Sequence, residues 1–210
     1  MTETSTDTAG ASREDEPIAA IVLAAGTSSR MGSPKQLLPY RGQPLLQHVI
    51  DLLPGLGLAD AVVVLGHQAR EIASAIDLPP GVRAIVNSDY ASGQRSSLRA
   101  GLAALAPGTA AALVLLGDQP RIPPEALRTV LHLRRTGAPP VIRASYQGKP
   151  GHPVLLDRSI WSTVSPGTDD AGARAWMADH PHEVLIAPLA LSLPIEVDSE
   201  DDYRHLLNEP

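Results

Sequence analysis

The chain has 210 residues, 43% of them hydrophobic, with no cysteine, no phenylalanine and a net charge of −6. That length suits one domain with an ample core, and the missing cysteines exclude disulfides, Cys-ligated zinc and thiol catalysis. The charge is uneven: residues 1–17 carry −4, residues 196–210 carry −5, and the body between them +3. Such a body suits an anionic small molecule and is too weakly basic for duplex nucleic acid, while 3% aromatics argue against base stacking.

The opening "MTETSTDTAGASREDEP" is polar and acidic, which predicts a disordered tail over 1–17 rather than a signal peptide, with a single domain over 18–210. No apolar run approaches the roughly 18 residues of a membrane span, so a cytoplasmic protein is expected. "IAAIVLAAG" is a continuous apolar run ending in Gly26, the pattern of a strand buried on both faces. "PLLQHVIDLL" predicts a helix with Pro44 at its start. "AVVVLG" and "QAREIASAI" form the next strand and helix. "VRAIVN" is a third strand, followed by the polar turn "SDYASGQR" and the helix "SSLRAGLAAL"; "AALVLLGDQP" and "PPEALRTVLHLRR" are the fourth pair. Four alternations predict an α/β fold, a three-layer, mostly parallel Rossmann-like sheet. "PPVIRASYQGKPGHPVLL" predicts two strands around a Gly/Pro turn, a local antiparallel excursion. A helix near "AGARAWMADH", strands "HEVLIAPL" and "LPIEVDS", and a helix "EDDYRHLL" complete the chain.

The connection between Gly26 and Pro44 is long for a compact domain, and such loops at the carboxyl end of a buried strand are where open α/β sheets bind ligands. Its spacing fits neither the P-loop nor the dinucleotide fingerprint: five residues separate Gly26 from Gly32, and Gln36 follows Lys35. Pro34 and Pro39 hold the chain out of helix. Leu23, Ala24, Ala25 and Gly26 let backbone approach a ligand, and Arg30 and Lys35 offer donors to phosphate oxygens.

The order L-A-A-G-x-S-x-R-M-G-x-x-K-x-L-L, then G-x-P-L-L, closely resembles the signature of the MobA-like nucleotidyltransferases, and within them the molybdenum cofactor cytidylyltransferases. The likeness continues through "GQRSSLRAGL", "LLGDQP", "GKPGHPVLLDRS" and "DAGAR", most of the chain after residue 17. It implies an enzyme of the nucleotide-diphospho-sugar transferase type that moves CMP from CTP to the phosphate of molybdenum-bearing molybdopterin, with Mg²⁺ as cofactor. Lys35 matches the family's phosphate lysine and Arg30 the arginine that holds the leaving pyrophosphate. Gly93 and Ser97 fall in the nucleotide site, and His152 and Arg174 beside the acceptor. The product's recipient, a molybdenum hydroxylase or its chaperone, is an implied transient partner; neither nucleic acid nor membrane is.

Residue chemistry fits these roles and also admits plainer ones. A phosphate monoester, with a second pKa of about 6, needs no general base, so the site has to align and neutralise two polyanions. Asp118, after the strand "AALVLLG", is a hard oxygen ligand of the kind Mg²⁺ prefers, or a turn aspartate before Pro120. Asp198 either completes the metal site or belongs to a helix start with Ser199 and Asp202. Ser96 or Ser97 can cap the following helix as well as bond a ligand. Arg95 either meets phosphate or points outward, and His152 sits among residues that also suit a tight turn. Asp169 stands where the family usually has Gly.

Ala24-Ala25-Gly26 and Leu46 resemble the cytidylyl pattern, whereas guanylyl members carry Ala-Gly-Gly. Guanylyl transfer, or transfer to another phosphorylated acceptor, is the nearest alternative. A non-catalytic molybdenum cofactor carrier is the alternative of another class.

Overall fold

The computed structural model describes residues 13–28, 31–137, 139–164 and 172–209. Nine strands form among them: β1 (Ile18–Ala24), β2 (Pro39–Tyr40), β3 (Gln43–Pro44), β4 (Asp60–Leu65), β5 (Val82–Val86), β6 (Ala111–Leu116), β7 (Val141–Tyr146), β8 (Lys149–Asp157) and β9 (Val184–Leu189). The helices are α1 (Leu45–Ile50), α2 (Ala69–Ala75), α3 (Gln94–Ala104), α4 (Pro124–Arg135), α5 (Trp161–Val164), α6 (Gly172–Asp179) and α7 (Glu200–Asn208). Seven strands make one sheet in the order β5-β4-β1-β6-β8-β7-β9, and β2 and β3 pair as a separate hairpin.

β1 lies inside the sheet, parallel to β4 on one side and β6 on the other, with Val22 opposite both Val63 and Leu115. β8 alone runs antiparallel to its neighbours β6 and β7, while β9 is parallel to β7. The predicted excursion is therefore a single reversed strand. From β1 the chain builds outward through β4 and β5 and then crosses back to β6. The reversal leaves a crevice between the carboxyl ends of β1 and β6, the position where open α/β sheets bind ligands.

Both sheet faces are covered, which explains the unbroken apolar runs. Ala20, Val22 and Ala24 of β1 pack with Leu46 and Ile50 of α1, Ile72 of α2 and Leu127 and Val130 of α4. Ala19 and Ile21 face the other way, onto Leu98 and Leu102 of α3 and Val164 of α5, with α6 beyond. α3 lies very close to the sheet at Gly101, where a Cβ would stand 2.7 Å from Ile21 Cγ2 and 3.2 Å from Val64 Cγ2. Gly101→Ala gains about 1 kcal/mol of helix propensity but forces two fully buried β-branched side chains to move, at about 1–3 kcal/mol. A net loss of up to about 2 kcal/mol is expected, read as a melting temperature lower by up to about 8 °C.

The acidic segment is tied to the body at its end. Glu16 pairs at 2.6 Å with Arg134, which is 2% exposed and also holds Asp157 at 2.7 Å. The expected strand "LPIEVDS" does not form. Residues 192–198 lie outside the sheet with no regular secondary structure, because the Val197 N–H bonds Asp118 O and Asp198 meets Lys35, so that this stretch crosses the sheet's carboxyl end. Val197 secures the crossing: its N–H donates to Asp118 O at 3.0 Å, and its side chain is buried with Tyr40, Leu45 and Leu206. Among the described residues no helix is long and apolar enough to cross a membrane.

Candidate active site

Five segments converge on the crevice. The end of β1 supplies Leu23, Ala24, Ala25 and Gly26; the loop supplies Lys35; the start of α3 supplies Gly93 and Ser97; β6 leads into Asp118; and the crossing segment brings Asp198. They line an open cleft of about 380 Å³. Arg30 lies outside the described residues.

The loop is held by its own polar side chains. Gln36, 2% exposed, donates through Nε2 to Ala24 O at 2.9 Å and Gly26 O at 3.3 Å. Ser28 Oγ donates to Gln36 Oε1 at 3.3 Å and accepts from the Lys35 N–H at 3.0 Å. Gln36 thus stitches the loop to the strand end it leaves, and so aims Lys35. Gln36→Ala strands the Ala24 carbonyl at a cost of about 1–3 kcal/mol and frees Lys35. We expect the KM for the nucleotide to rise about tenfold, with a lower melting temperature, in pyrophosphate-release kinetics and thermal melts.

Lys35 Nζ sits 2.6 Å from Asp118 Oδ2 and 2.6 Å from Asp198 Oδ1. Burial alone would lower the pKa of Lys35, but attraction to Asp118 and hydrogen bonds to both carboxylates outweigh it and hold the ammonium charged. Burial pushes the Asp118 carboxyl up against the pull of Lys35, and the negative charge of Asp198 adds to the rise. Glu196 completes the group: donor atoms of Asp118, Glu196 and Asp198 all lie within 4.8 Å of one another. Its carboxyl is also raised, by burial and then by repulsion from the two aspartates, while Gln119 Nε2 donates to it at 3.2 Å.

Three carboxylates against one ammonium leave a surplus of negative charge. Among the described residues Asp118 Oδ1 is buried without a hydrogen-bond partner. Clustered hard oxygens with one unsatisfied, buried lone-pair site match the needs of a small divalent cation. Asp118, Glu196 and Asp198 therefore fit such an ion.

The two sequence readings of Asp198 turn out to be compatible. Ser199 is the cap of α7: its Oγ accepts from the Asp202 N–H at 3.2 Å, and Asp202 Oδ2 accepts from the Ser199 N–H at 2.8 Å. Asp198 stands just outside, its N–H tied to Asp202 Oδ2 at 3.2 Å and its side chain turned to Lys35. The cap of α3, by contrast, is neither serine. Gly93 holds that position at φ 95°, and Ser96 Oγ bonds the Asp89 and Gly93 carbonyls instead. Ser97 lines the cleft and accepts from Asn87 Nδ2 at 3.1 Å.

His152 and Arg174 lie together in an adjoining cavity that shares Leu23 and Gln94 with the cleft. Arg95 faces that cavity too, rather than solvent. The sequence reading had no role for Glu196, Gln36 or Arg143, which lines the same cavity.

Comparison with known proteins agrees with this geometry. Nicotine blue oxidoreductase of Paenarthrobacter nicotinovorans is 34% identical over 200 residues, covering 90% of this chain and 96% of that protein. Molybdenum cofactor cytidylyltransferase of Escherichia coli (strain K12) is 29% identical over 186 residues, covering 87% of this chain and 92% of its own. The crystal structure of Rv0371c from Mycobacterium tuberculosis H37Rv, in complex with manganese, superposes with a TM-score of 0.81 at 30% identity, covering 92% of this chain and all of that one. Residues 20–184, which carry the crevice strands, the loop, the start of α3 and Asp118, match the MobA-like NTP transferase domain, and the chain belongs to that family of nucleotidyltransferases.

Proposed function

We propose that the protein transfers CMP from CTP to the phosphate of molybdenum-bearing molybdopterin and releases pyrophosphate. An oxygen of the acceptor phosphate bonds the α-phosphorus of the triphosphate. The bond from that phosphorus to the α–β bridging oxygen breaks, and pyrophosphate leaves with the electron pair. The acceptor phosphate is already ionised near neutral pH, so the chain needs no general base and none of its groups is assigned as one.

What the residues supply is placement and charge. Small residues Ala24, Ala25 and Gly26 admit the nucleotide against backbone, the amino end of α3 offers N–H groups to phosphate oxygens, and Lys35 neutralises the chain of phosphates. Arg30 is assigned to the leaving pyrophosphate by resemblance. Asp118, Glu196 and Asp198 would hold Mg²⁺, whose chemistry is to offset charge on the phosphate oxygens. The cluster of Asp118, Glu196 and Asp198 around Lys35, with Asp118 Oδ1 buried and unpartnered among the described residues, is the observation that carries the reading.

The choice of CTP and of the pterin acceptor rests on the Ala24-Ala25-Gly26 resemblance and on the 29% identical cytidylyltransferase. The 34% identical relative named as an oxidoreductase prompts a second reading, a redox role for the same cleft. A carboxylate cluster has no evident part in hydride transfer, and the glycine spacing after β1 does not fit the dinucleotide fingerprint.

The test is pyrophosphate release with Mg²⁺ and molybdenum-loaded molybdopterin, with CTP, GTP, ATP and UTP in parallel, alongside NADH and NADPH consumption without triphosphate. Turnover with CTP alone is expected. A GTP preference would overturn the base, and cofactor binding without pyrophosphate release would favour a carrier.

A further inference from the structure

The cavity next to the carboxylate cluster is lined by Arg95, Arg143, His152 and Arg174 over an apolar floor that includes Val154 and Leu156. The sheet explains the grouping. Arg143 of β7 stands directly opposite Val154 of β8, and residues two apart along a strand share a face, so His152, Val154 and Leu156 line up beside Arg143. α6 brings Arg174 over them. A second, outer groove opens past the same two arginines, lined also by Met177 and Ile186. Arg143 and Arg174 thus stand at the waist between the inner cavity and the outer groove.

Among the described residues the charge at this waist is unbalanced, and none of them places a carboxylate on the lining of either cavity. Arg143 is part-buried, and among the described residues its buried Nε has no hydrogen-bond partner. Arginine is rarely buried unless paired; the buried Arg134 of this chain has two acids, Glu16 and Asp157. Burial and the nearby Arg174 both lower the pKa of Arg143, so the waist holds two cations that disfavour one another. An anion placed between them would remove that cost and take bidentate hydrogen bonds from the guanidinium forks.

We propose that Arg143, together with Arg174, clamps a second anionic group of the acceptor, remote from the phosphate that reacts at the Asp118 end, and so determines acceptor specificity. The acceptor class this selects has an apolar or flat middle, seated on Val154 and Leu156, between two anionic ends. The word acceptor rests on the nucleotidyl-transfer reading; the anion clamp does not, and its test needs no turnover.

The probe is inorganic sulfate, read through the ring signals of His152 by NMR in the full-length protein. In the wild type sulfate should shift those signals saturably and raise the pH at which His152 takes its proton. In Arg143→Gln sulfate should bind about tenfold more weakly, with partial recovery in Arg143→Lys, which keeps the charge and loses the fork. The melting temperature of Arg143→Gln should not fall, since a part-buried charge whose Nε has no partner among the described residues is removed. In turnover assays the same variant should raise the KM for the acceptor about tenfold and leave that for the nucleotide unchanged. Ring signals that ignore sulfate, or equal sulfate affinity in Arg143→Gln, would overturn the clamp whatever the nucleotide assays give.

Discussion

Asp118→Asn should lower pyrophosphate release at least about 1000-fold, some 4 kcal/mol of transition-state stabilisation, with the fold intact. The substitution keeps the shape of the side chain and its backbone position at the end of β6, where Asp118 O accepts from Val197 N–H. It removes the charge that meets Lys35 at 2.6 Å and leaves one oxygen where two stood, so that Lys35 and a cation can no longer each have their own. Stability has opposing contributions: a carboxylate whose pKa is raised by burial is relieved, while Lys35 keeps only Asp198 as partner. A change of no more than a few degrees in melting temperature is expected. Manganese titration followed by electron paramagnetic resonance supplies a readout apart from turnover, and the variant should bind the ion at least tenfold more weakly. Asp198→Asn should cost less on both counts, because that side chain is 49% exposed and water can take its place. Wild-type turnover in Asp118→Asn would remove the carboxylate cluster from the mechanism.

The same cluster shows where reading the sequence succeeds and where it stops. Asp118 is legible because a fully buried run ends in a carboxylate, and in a parallel sheet every strand delivers its carboxyl end to one edge. The loop to Lys35 is legible because a long connection leaves that same edge. Asp198 admits two readings from sequence, and Glu196 beside it carries no signal of its own, although their i, i+2 spacing puts both on one side of any extended segment. What hid the pair was the assignment of "LPIEVDS" to the sheet: only the Val197–Asp118 hydrogen bond, a contact between residues far apart in the chain, turns that segment across the crevice. Gln36 shows no pattern at all, since a glutamine in a polar loop looks solvated until its carbonyl partners Ala24 and Gly26 are known. Arg143 reads as an outward residue of an alternating strand. The order β8-β7-β9, with α6 laid over it, is what encloses the side chain.

Stability should fall on acidification through the window set by His152. Its imidazole is pushed down from 6.5 to about 4, first by burial and then by the positive charges of Arg143 and Arg174. Arg95 also lines the cavity, and among the described residues no carboxylate does. The folded state therefore holds His152 neutral where the unfolded chain takes up a proton. The contribution is fully present above about pH 6.5, shrinks as pH falls from there to about 4, and is gone below, where both states are protonated. At 1.36 kcal/mol per unit, a shift of that size corresponds to about 3 kcal/mol, and because solvent reaches the cavity we expect about 2. Urea denaturation of wild type and His152→Gln at pH 7 and pH 4.5 isolates this contribution, since carboxylates titrate alike in both proteins. The wild type should lose about 2 kcal/mol more than the variant over that interval. In Arg143→Gln the excess loss should be smaller but not abolished, because burial is the larger cause and that substitution leaves most of it in place. Equal losses in wild type and His152→Gln would mean that the imidazole titrates near its ordinary value, and that neither burial nor the arginines depress it.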